Sequence, residues 1–311
     1  MTTPSAADAR PDSRGGSVLS FSNVCLRFGD TPALDHVTLD LQPGQTCIVF
    51  GAAGSGKTTL LKVAAGLVKP DSGQVYLFGQ DIGGLKEQQL FDIRARIGIL
   101  FQEGGLFDSL TIAENVAYPL LNQRLLLKKM SEAVLQGNGS GASRGSPYPT
   151  PYPTPYPTVD ERVRQALRFV ELEETVDKFP SELSGGMRRR VGIARAVVSE
   201  PALELYDSPT AGLDPITANT IVSLILKERD LRNTATIMVT HRYQDGHLMA
   251  NFRYNPSSGS VERVSLDGDR SPASTRFLVM NQGRIVFEGF EAQLQASADP
   301  YVRKFLRIGG A

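Results

Sequence analysis

The chain has 311 residues, of which 41% are hydrophobic, so it can form one large domain or two small ones with a substantial core. Lys and Arg total 33, as do Asp and Glu, and this balance argues against a surface that coats nucleic acid. The sequence contains no run of about 18 uncharged apolar residues, which excludes a segment that spans a bilayer by itself.

The N-terminal part of the chain begins with a polar stretch. Residues 1–17 are rich in Ser, Ala, Gly, Pro and Asp and lack the apolar region of a signal peptide, so we predict a disordered tail. Residues 18–28 and 33–41 then alternate between apolar and polar side chains, as paired strands do. Cys25 and Cys47 lie in apolar, strand-like runs, which predicts reduced, buried thiols in a cytosolic protein.

Residues 51–58, GAAGSGKT, fit the phosphate-binding pattern G-x-x-x-x-G-K-[ST]. An apolar, β-branched run at 45–50 precedes them and a helical pattern at 58–67 follows, which is the order that phosphate binding needs. Glycines allow several backbone N–H groups to point at one anion, and the helix N-terminus adds partial positive charge. We expect Lys57 to reach the outer phosphates and Thr58 to offer its hydroxyl to Mg²⁺. The candidate nucleotide-binding residues of this loop are Gly51, Ala52, Ala53, Gly54, Ser55, Gly56, Lys57, Thr58 and Thr59.

After this loop, short strands alternate with polar connections and helices. The pattern predicts a strand at 74–78, a polar connection at 79–89 and a buried strand at 96–101. A helical pattern covers 106–129 and resumes at 159–172. The chain therefore changes from a strand-rich to a helix-rich region near its middle.

Residues 136–158 differ abruptly in composition from the segments around them. A Gly/Ser-rich stretch leads into three tandem copies of Pro-Tyr-Pro-Thr. Alternate prolines exclude helix and central strand, so we predict a polyproline-like surface spacer that the fold tolerates as an insertion. A ligand for a proline-recognising domain is the alternative interpretation.

Three later segments carry polar residues at points where they can act on a nucleotide. Residues 183–187, LSGGM, predict a helix N-terminus with a serine cap and an end that favours an anion, and the arginines that follow are also typical of a solvated face. The apolar run at 202–207 ends in Asp207, and a carboxylate at the tip of a parallel strand beside a phosphate loop is where P-loop enzymes hold Mg²⁺. A last buried strand at 235–240 ends at His241.

Over about residues 18–290 the chain resembles the nucleotide-binding subunits of ABC transporters. The motifs occur in the family's order and at compatible spacing: the phosphate loop, Gln102, 183–187, Asp207, 211–214 and His241. The L-S-G-G signature is the specific part, because other P-loop enzymes lack it. The resemblance implies an α/β fold with a RecA-like P-loop NTPase core, an antiparallel β-subdomain near the N-terminus and a helical subdomain at about 93–183. It also implies ATP and Mg²⁺ as cofactors.

The resemblance further implies roles for single residues. Phe28 would stack on adenine, whereas the sequence pattern alone favours a core aromatic. Gln102 would sense the γ-phosphate and report to a membrane partner, and His241 would steady that phosphate and the attacking water. In a head-to-tail dimer, Ser184 and Gly186 of one subunit would contact the γ-phosphate held by the other. The remaining residues expected at the nucleotide are Leu183, Gly185, Asp207 and Asp214, and the expected metal ligands are Thr58, Gln102 and Asp207.

A narrower resemblance is to the ATPase subunit of Mla/Mce-type lipid transporters. Five short segments carry it: 100–107 (LFQEGGLF), 115–120 (NVAYPL), Met187, 214–217 (DPIT) and 299–306 (DPYVRKFL) in the C-terminal helical tail at 291–311. It implies lipid as the cargo, with a membrane permease, a second ATPase subunit in a homodimer and an Mce-domain lipid-binding protein as partners. It also implies a peripheral location on the cytoplasmic face of the inner membrane.

The family docks its permease in a groove of the helical subdomain, which follows Gln102 in the chain. We therefore expect residues 104–120 to contact the permease. This segment offers apolar and aromatic anchors of the kind that dominate interfaces. They are Leu106, Phe107, Leu110 and Tyr118. The alternative is that these side chains belong to the core of the subdomain.

Two features depart from the family's pattern. Residues 255–274 are longer than the family's usual connection, and we predict a surface loop there. Ser208 stands where the family has a glutamate directly after the Mg²⁺-ligating aspartate. A serine hydroxyl is no general base at neutral pH, and losing such a base typically slows a reaction by about 10²–10⁴-fold. Glu204 does not compensate, because it projects from the opposite face of its strand to Asp207.

Two functions remain open on the sequence alone. The chain is either an ATPase that drives lipid transport through a permease, or a nucleotide-gated module that dimerises on ATP and hardly hydrolyses it. Ser208 favours the second function, whereas the intact phosphate loop, the signature and His241 favour the first. Glu103, which follows Gln102, is a candidate substitute for the missing base, with a solvated loop carboxylate as the alternative.

Overall fold

A computed structural model describes residues 16–101, 104–122, 158–264 and 275–307. A six-stranded sheet in the order β12-β11-β3-β8-β7-β6 forms its centre. Five of these strands run parallel, and only β12 is antiparallel to its neighbour. The strands are β3 (Thr46–Gly51), β6 (Ile97–Leu100), β7 (Leu203–Asp207), β8 (Ala235–Val239), β11 (Thr275–Asn281) and β12 (Arg284–Gly289). The sheet and its flanking helices confirm the predicted α/β class.

A second, antiparallel sheet packs against the first. Its strands have the order β2-β1-β4-β5. They are β1 (Leu19–Phe28), β2 (Thr31–Leu41), β4 (Ser72–Leu77) and β5 (Gln80–Asp81). This sheet is the antiparallel β-subdomain that the family resemblance implies.

Helices cover both faces of the central sheet. They are α1 (Lys57–Ala64), α2 (Glu87–Arg94), α3 (Ile112–Asn122), α4 (Val159–Phe169), α5 (Gly185–Val197), α6 (Pro215–Arg232), α7 (Tyr243–Asn251), α8 (Glu291–Gln295) and α9 (Pro300–Arg307). Two 3₁₀ turns, Glu173–Thr175 and Pro180–Glu182, lead from α4 to α5. The helices α3, α4 and α5 pack together, and α5 also contacts β6, so the helical region rests on one edge of the central sheet.

The central strands are buried on both faces because parallel strands between helices have no solvated side. In β3, Ile48 and Phe50 belong to the core cluster beneath α5 and α6, whereas Cys47 and Val49 belong to the cluster beneath α1. All six residues of β3 are buried. The phosphate loop therefore begins at the end of a fully buried strand.

The structure differs from several sequence expectations in local detail. Residues 255–274 were expected to be a surface loop, but Phe252–Asn255 (β9) and Ser260–Arg263 (β10) form a two-stranded hairpin. Its turn is closed by Gly259, whose N–H donates to the Asn255 carbonyl at 2.8 Å. The polar connection at 79–89 contains β5 and the start of α2.

Domain boundaries also need adjustment where residues are described. Ser17 lies in the fold, since its hydroxyl donates to the Asp40 carboxylate. Thr158 is the N-cap of α4, and its Oγ1 accepts from the Glu161 N–H at 3.2 Å. The range 93–183 includes β6, which pairs with β7 in the central sheet. The Pro-Tyr-Pro-Thr repeat before Thr158 lies outside the described residues.

Candidate nucleotide-binding site

The phosphate loop connects β3 to α1 through backbone that only glycine adopts easily. Gly56 has φ of 102° at the N-cap of α1, and a Cβ there would lie 2.3 Å from the Ala33 carbonyl oxygen. Gly54 has φ of 75°. Both positions lie in the left-handed region that disfavours other residues. The loop therefore curls tightly at the N-terminus of α1, where unpaired N–H groups and the helix dipole favour an anion.

The Lys57 side chain lies inside this curl. Its Nζ donates to the carbonyl oxygens of Gly51 at 2.9 Å and Ala52 at 2.7 Å, and to Ser55 Oγ at 3.3 Å. Burial lowers the pKa of Lys57 from its ordinary value, and the nearby Asp207 carboxylate opposes that shift. The loop thus holds a cation within its own concave side, where a phosphate would meet it.

Thr58 and Asp207 bring the two halves of the expected metal site together. The Thr58 hydroxyl donates to Asp207 Oδ2 at 2.8 Å, across 149 residues of sequence. Asp207 ends β7, and the Ser208 hydroxyl donates to its other oxygen, Oδ1, at 3.2 Å. A hydroxyl and a carboxylate are the hard oxygen donors that Mg²⁺ prefers, so the residues present fit that ion. Gln102, the third expected ligand, lies outside the described residues, as does Glu103.

Ser208 occupies a strained position directly after Asp207, the expected metal ligand. Its φ is 51°, in the left-handed region, and its N–H donates to the Val239 carbonyl of the neighbouring strand at 2.9 Å. The backbone at this position is therefore fixed by the sheet, and it directs the side chain toward Asp207. The structure places an alcohol beside the aspartate where the family resemblance would place a carboxylate.

The signature residues form a separate group at the start of α5. The Ser184 hydroxyl caps this helix by accepting from the Met187 N–H at 3.2 Å. Leu183 is buried, whereas Ser184 and Gly185 are exposed. A Cβ on Gly186 would lie 2.8 Å from the Thr217 methyl, so glycine allows α5 to approach α6 closely. Among the described contacts, no hydrogen bond or ion pair joins residues 183–186 to the phosphate loop.

Arg189 links the signature helix to the loop after Ser208. Its side chain is buried, and its guanidinium donates to the carbonyl oxygens of Pro209, at 3.2 Å, and Ala211. Asp214, further along this loop, caps α6 by accepting from the N–H groups of Ile216 and Thr217, both at 3.0 Å. A hydrogen bond from the Thr217 side chain, together with these backbone N–H groups, holds the pKa of Asp214 below its ordinary value. The loop therefore has a fixed shape between α5 and α6.

His241 is exposed just beyond the end of β8. The loop that carries it is anchored by Asp245, whose Oδ2 accepts from Thr240 Oγ1 at 2.7 Å and from Thr210 Oγ1. Burial raises the pKa of Asp245 from its ordinary value, while these hydroxyls oppose the shift. Asp245 thus joins the His241 loop to the loop after Ser208. No sequence signal predicted this role, because the contact between Thr210 and Asp245 crosses 35 residues of sequence.

Two aromatic residues outside the phosphate loop also bear on the expected site. Phe28, at the end of β1, is 58% exposed and is therefore not a core aromatic. Tyr301 of α9 accepts from the Ala52 N–H at 3.2 Å and donates to the Met280 carbonyl at 3.0 Å. Sequence analysis missed the Tyr301 contact because 249 residues separate it from Ala52.

Comparison with known proteins places these features in a family. The sequence profile described as "ABC transporter" matches residues 34–211. The methionine import ATP-binding protein MetN of Rhizobium etli is 32% identical over 78% of this chain, and the match covers 60% of that relative, less than two thirds of its length. The intermembrane phospholipid transport system ATP-binding protein MlaF of Haemophilus influenzae is 28% identical over 94% of this chain and 90% of its own.

A solved structure shares the fold. It is a dimeric, post-hydrolysis state of the ATP-binding cassette MJ0796 with bound ADP and Pi. That cassette is 26% identical, with a TM-score of 0.64, and the match covers 88% of this chain and 98% of the cassette. The fold found here is therefore the fold of an ATP-binding cassette.

Proposed function

The chain belongs to the ABC transporter family, and we propose that it is the ATP-binding subunit of a transporter that moves lipid through a membrane permease. The observation that carries the ATP-binding part is the 2.8 Å contact between Thr58 and Asp207, which unites a phosphate loop with a metal-site carboxylate. The whole-length similarity to a phospholipid transport ATPase favours lipid as the cargo.

Different residues around the phosphate loop bind different parts of Mg·ATP. The N–H groups of residues 54–58 and the Lys57 ammonium bind the phosphates, and Thr58 and Asp207 hold Mg²⁺, which offsets the negative charge of the phosphate oxygens. The exposed ring of Phe28 offers a stacking surface for adenine. His241 reaches the outer phosphate from the loop that Asp245 anchors.

A second copy of the chain completes the site. The signature residues of one chain lie apart from its own phosphate loop, at an exposed, positively polarised end of α5. In a head-to-tail dimer, Ser184 and Gly186 contact the γ-phosphate bound by the partner. The dimeric assembly of the similar cassette supports this arrangement.

The extent of the two sequence matches favours lipid over methionine. The match to the methionine import protein covers 78% of this chain, whereas the match to the phospholipid transport protein covers 94%. Lipid is therefore the better-supported cargo class. We propose an Mce-domain protein as a further partner.

An aromatic surface beside the helical region offers a permease contact. Phe107 and Tyr118 are 41% and 42% exposed, and their rings lie 4.7 Å apart. Tyr118 also lines a cavity of about 200 Å³ together with Phe91 and Pro119. We call these four residues the docking surface. Exposed aromatic clusters of this kind dominate interface energies.

The other two expected anchors contribute less to this surface. Leu106 is half-buried and packs against the core, and Leu110 is also half-buried. No described helix is long and apolar enough to cross a bilayer. We propose that the docking surface holds the chain to its permease at the cytoplasmic face of the inner membrane.

Co-purification with the permease tests both the partner and the cargo. The chain is expressed with its permease, and the complex is assayed for ATP turnover and for bound lipid by mass spectrometry. Phe107→Asp is expected to release the chain from membranes while leaving ATP binding intact, because the substitution places a charge in the docking surface. Phe290→Asp is the matched control, since Phe290 is 43% exposed and lies outside the docking surface.

The outcomes separate the two parts of the proposal. A Phe107→Asp chain that still sediments with the permease excludes the docking surface. Methionine or sulfate in place of lipid, with turnover intact, excludes the cargo but retains the transporter ATPase.

Ser208 favours a second candidate function, a nucleotide-gated module with slow hydrolysis. Its hydroxyl donates to Asp207 at 3.2 Å and offers no carboxylate to orient water. ATP binding and dimerisation then do the mechanical work, and hydrolysis only resets the dimer. A turnover measurement on the permease complex distinguishes this function from a fast ATPase.

A further inference from the structure

A cluster of three potential metal ligands lies outside the nucleotide site. Cys25 of β1 and Asp35 and His36 of β2 each present one ligand atom, and these atoms all lie within 4.8 Å of one another. The cluster borders a groove of about 630 Å³ between β2 and β12. A thiol, an imidazole and a carboxylate form a set that the nucleotide chemistry does not use.

A β-bulge brings the three side chains together. Val24 pairs with Val37 and Leu26 with Leu34, so Cys25 faces two residues of β2 instead of one. His36 is the residue in the left-handed region, with φ of 55°. Adjacent residues of a regular strand point to opposite faces, and a bulge removes that alternation. Asp35 and His36 can therefore both reach Cys25.

The contacts within the cluster orient its ligand atoms. The His36 N–H donates to Cys25 Sγ at 3.3 Å, and His36 Nδ1 lies 2.5 Å from Asp35 Oδ1. The other oxygen, Asp35 Oδ2, accepts from Arg284 Nε at 2.6 Å. Arg284 thus holds the carboxylate by one oxygen and leaves Oδ1 facing the imidazole. Such outer hydrogen bonds are how proteins fix metal-ligating groups.

We propose that Cys25 Sγ, Asp35 Oδ1 and His36 Nδ1 bind a divalent cation of the zinc class. Zinc takes thiolate, imidazole and carboxylate ligands at about 2.0–2.3 Å in tetrahedral geometry, which places ligand atoms roughly 3.5 Å apart. The ligand atoms of the three residues lie within 4.8 Å of one another, and His36 Nδ1 and Asp35 Oδ1, which are hydrogen-bonded at 2.5 Å, must move apart to reach that spacing. The His36 side chain is 66% exposed, so it can turn without repacking the core. The groove leaves a fourth position open to water.

The proposed site connects to the phosphate loop through backbone hydrogen bonds. The Asp35 N–H donates to the Gly283 carbonyl at 2.9 Å, and the Gly283 N–H donates to the Ser55 carbonyl at 3.1 Å. Arg284, which holds Asp35, follows Gly283 directly. A cation bound here therefore joins β1 to β2, next to the backbone hydrogen bonds that link β2 through Gly283 to the loop that carries Ser55.

Cobalt binding gives a signal that only a thiolate ligand can produce. EDTA-treated, nucleotide-free full-length chain is titrated with Co²⁺, and thiolate-to-cobalt charge-transfer absorption is expected to rise to one equivalent. The sequence has two cysteines, and Cys47 is silent because it is fully buried with its pKa raised to about 12. Oxygen ligands at Thr58 and Asp207 give no such absorption. The signal therefore reports Cys25 alone.

Variants of the ligands and of the groove complete the test. Cys25→Ser is expected to abolish the absorption, and His36→Gln to weaken Co²⁺ binding by at least about tenfold. Glu288→Gln is the matched control, since Glu288 lines the same groove outside the cluster. Zn²⁺ is expected to displace Co²⁺ and, at about 100 times its Kd, to raise the Tm of the wild-type chain by about 5 °C.

The negative outcomes are equally specific. Absence of thiolate absorption in the wild-type chain overturns the site, and so does absorption that persists in Cys25→Ser. If Cys25→Ser does not fold, His36→Gln decides, because a wild-type affinity in that variant excludes the imidazole as a ligand and with it the proposal.

Discussion

Polar side chains at the two ends of the central sheet differ in how completely they are hydrogen-bonded. At the carboxyl ends of the strands, Asp207 accepts from two hydroxyls, and Lys57 donates to three oxygens. At the amino ends, a row of four buried polar residues crosses the sheet in register. They are Thr275, Thr46, Thr236 and Glu204.

The polar side chains of the amino-end row are only partly hydrogen-bonded. Thr46 Oγ1, Thr236 Oγ1 and Glu204 Oε1 have no hydrogen-bond partner among the described residues. Glu204 keeps one contact through its other oxygen, which accepts from the Tyr206 hydroxyl at 2.8 Å. Burial, reinforced by the charge of Glu228, raises the pKa of Glu204 to about 8. The fold therefore tolerates a neutral acid at one end of the sheet.

This difference in hydrogen bonding indicates which polar residues can bind a ligand. At the carboxyl end, each polar group is paired within a concave loop that opens to solvent, so a phosphate or cation can replace the internal partner. At the amino end, the polar groups are sealed from solvent, and their energetic cost appears as a shifted pKa. We therefore expect substitutions at the carboxyl end to change ATP binding and turnover, and substitutions at the amino end to change how stability depends on pH.

Supplying the missing carboxylate at the carboxyl end is expected to have the largest effect. Ser208→Glu places a general base beside Asp207 and should raise ATP turnover by up to about 10²–10⁴-fold. Phosphate release by the permease complex measures the change. Ser208→Gln is the matched control, because its amide has a similar size but cannot accept a proton. Equal acceleration by both variants would show that size, and not the base, limits turnover.

Wild-type turnover also decides whether another group already acts as the base. Brisk turnover that Ser208→Glu does not increase, and that Glu103→Gln abolishes, identifies Glu103 as the substitute. Brisk turnover that survives Glu103→Gln contradicts both ideas and leaves His241 or the partner subunit as the source.

Removing the loop cation is expected to have the next largest effect. Lys57→Ala deletes a partly buried ammonium on the concave side of the loop, where we propose that the phosphates bind, so affinity for Mg·ATP should fall by about 100-fold. Equilibrium titration measures the affinity, and circular dichroism checks the fold. Lys62→Ala serves as control because Lys62 is an exposed lysine of the same helix. Undiminished ATP binding by Lys57→Ala would refute the assigned phosphate loop.

At the amino end, the expected effect is on stability and its pH dependence. Glu204 has a folded-state pKa of about 8, above its ordinary 4.5, so its neutral form is favoured by folding. The stabilisation is complete below the unfolded pKa and is lost as pH rises toward 8, at up to about 1.4 kcal/mol per pH unit. Glu228, whose pKa burial raises to about 7, adds to the same loss between its ordinary value and that pH.

Glu204→Gln keeps the shape of the side chain and removes its titration. We expect the variant to lose less stability than the wild-type chain between pH 6 and pH 8.5, with a difference of about 1–3 kcal/mol at the higher pH. Urea unfolding at both pH values measures it. Glu171→Gln, at an exposed carboxylate, is the control. Parallel pH profiles for Glu204→Gln and the wild-type chain would show that Glu204 is ionised in the fold.

The sequence predicted the carboxyl end of the sheet far better than the amino end. The phosphate loop, Asp207 and His241 each follow a short apolar strand, so local patterns place them at one edge of the sheet. The amino-end row depends on register between four strands that are distant in sequence, which no local pattern encodes. The hairpin β9–β10 escaped prediction because each of its strands is only four residues long. The bulge at His36 escaped prediction because it arises from strand pairing.

Removing one hydroxyl outside the loop is expected to have the smallest effect, and it tests how far the carboxyl end depends on distant support. Tyr301→Phe deletes the acceptor for the Ala52 N–H and the donor to the Met280 carbonyl. The ring packing survives, since Tyr301 meets Phe305 edge-to-face at 5.4 Å and Phe305 stacks on Phe50 at 6.0 Å. We expect about 1 kcal/mol of lost stability and a fall in ATP affinity of about two- to fivefold.

Urea unfolding and ATP titration measure the two effects of Tyr301→Phe separately. Tyr76→Phe is the control, because Tyr76 lies on β4 in the antiparallel sheet. Reduced stability with unchanged ATP affinity would show that α9 only braces the core. Reduced affinity would show that the phosphate loop is held in its binding shape from both sides, by Tyr301 at Ala52 and by Gly283 at Ser55. The second result would explain how a loop that must stay open to a ligand keeps its binding shape.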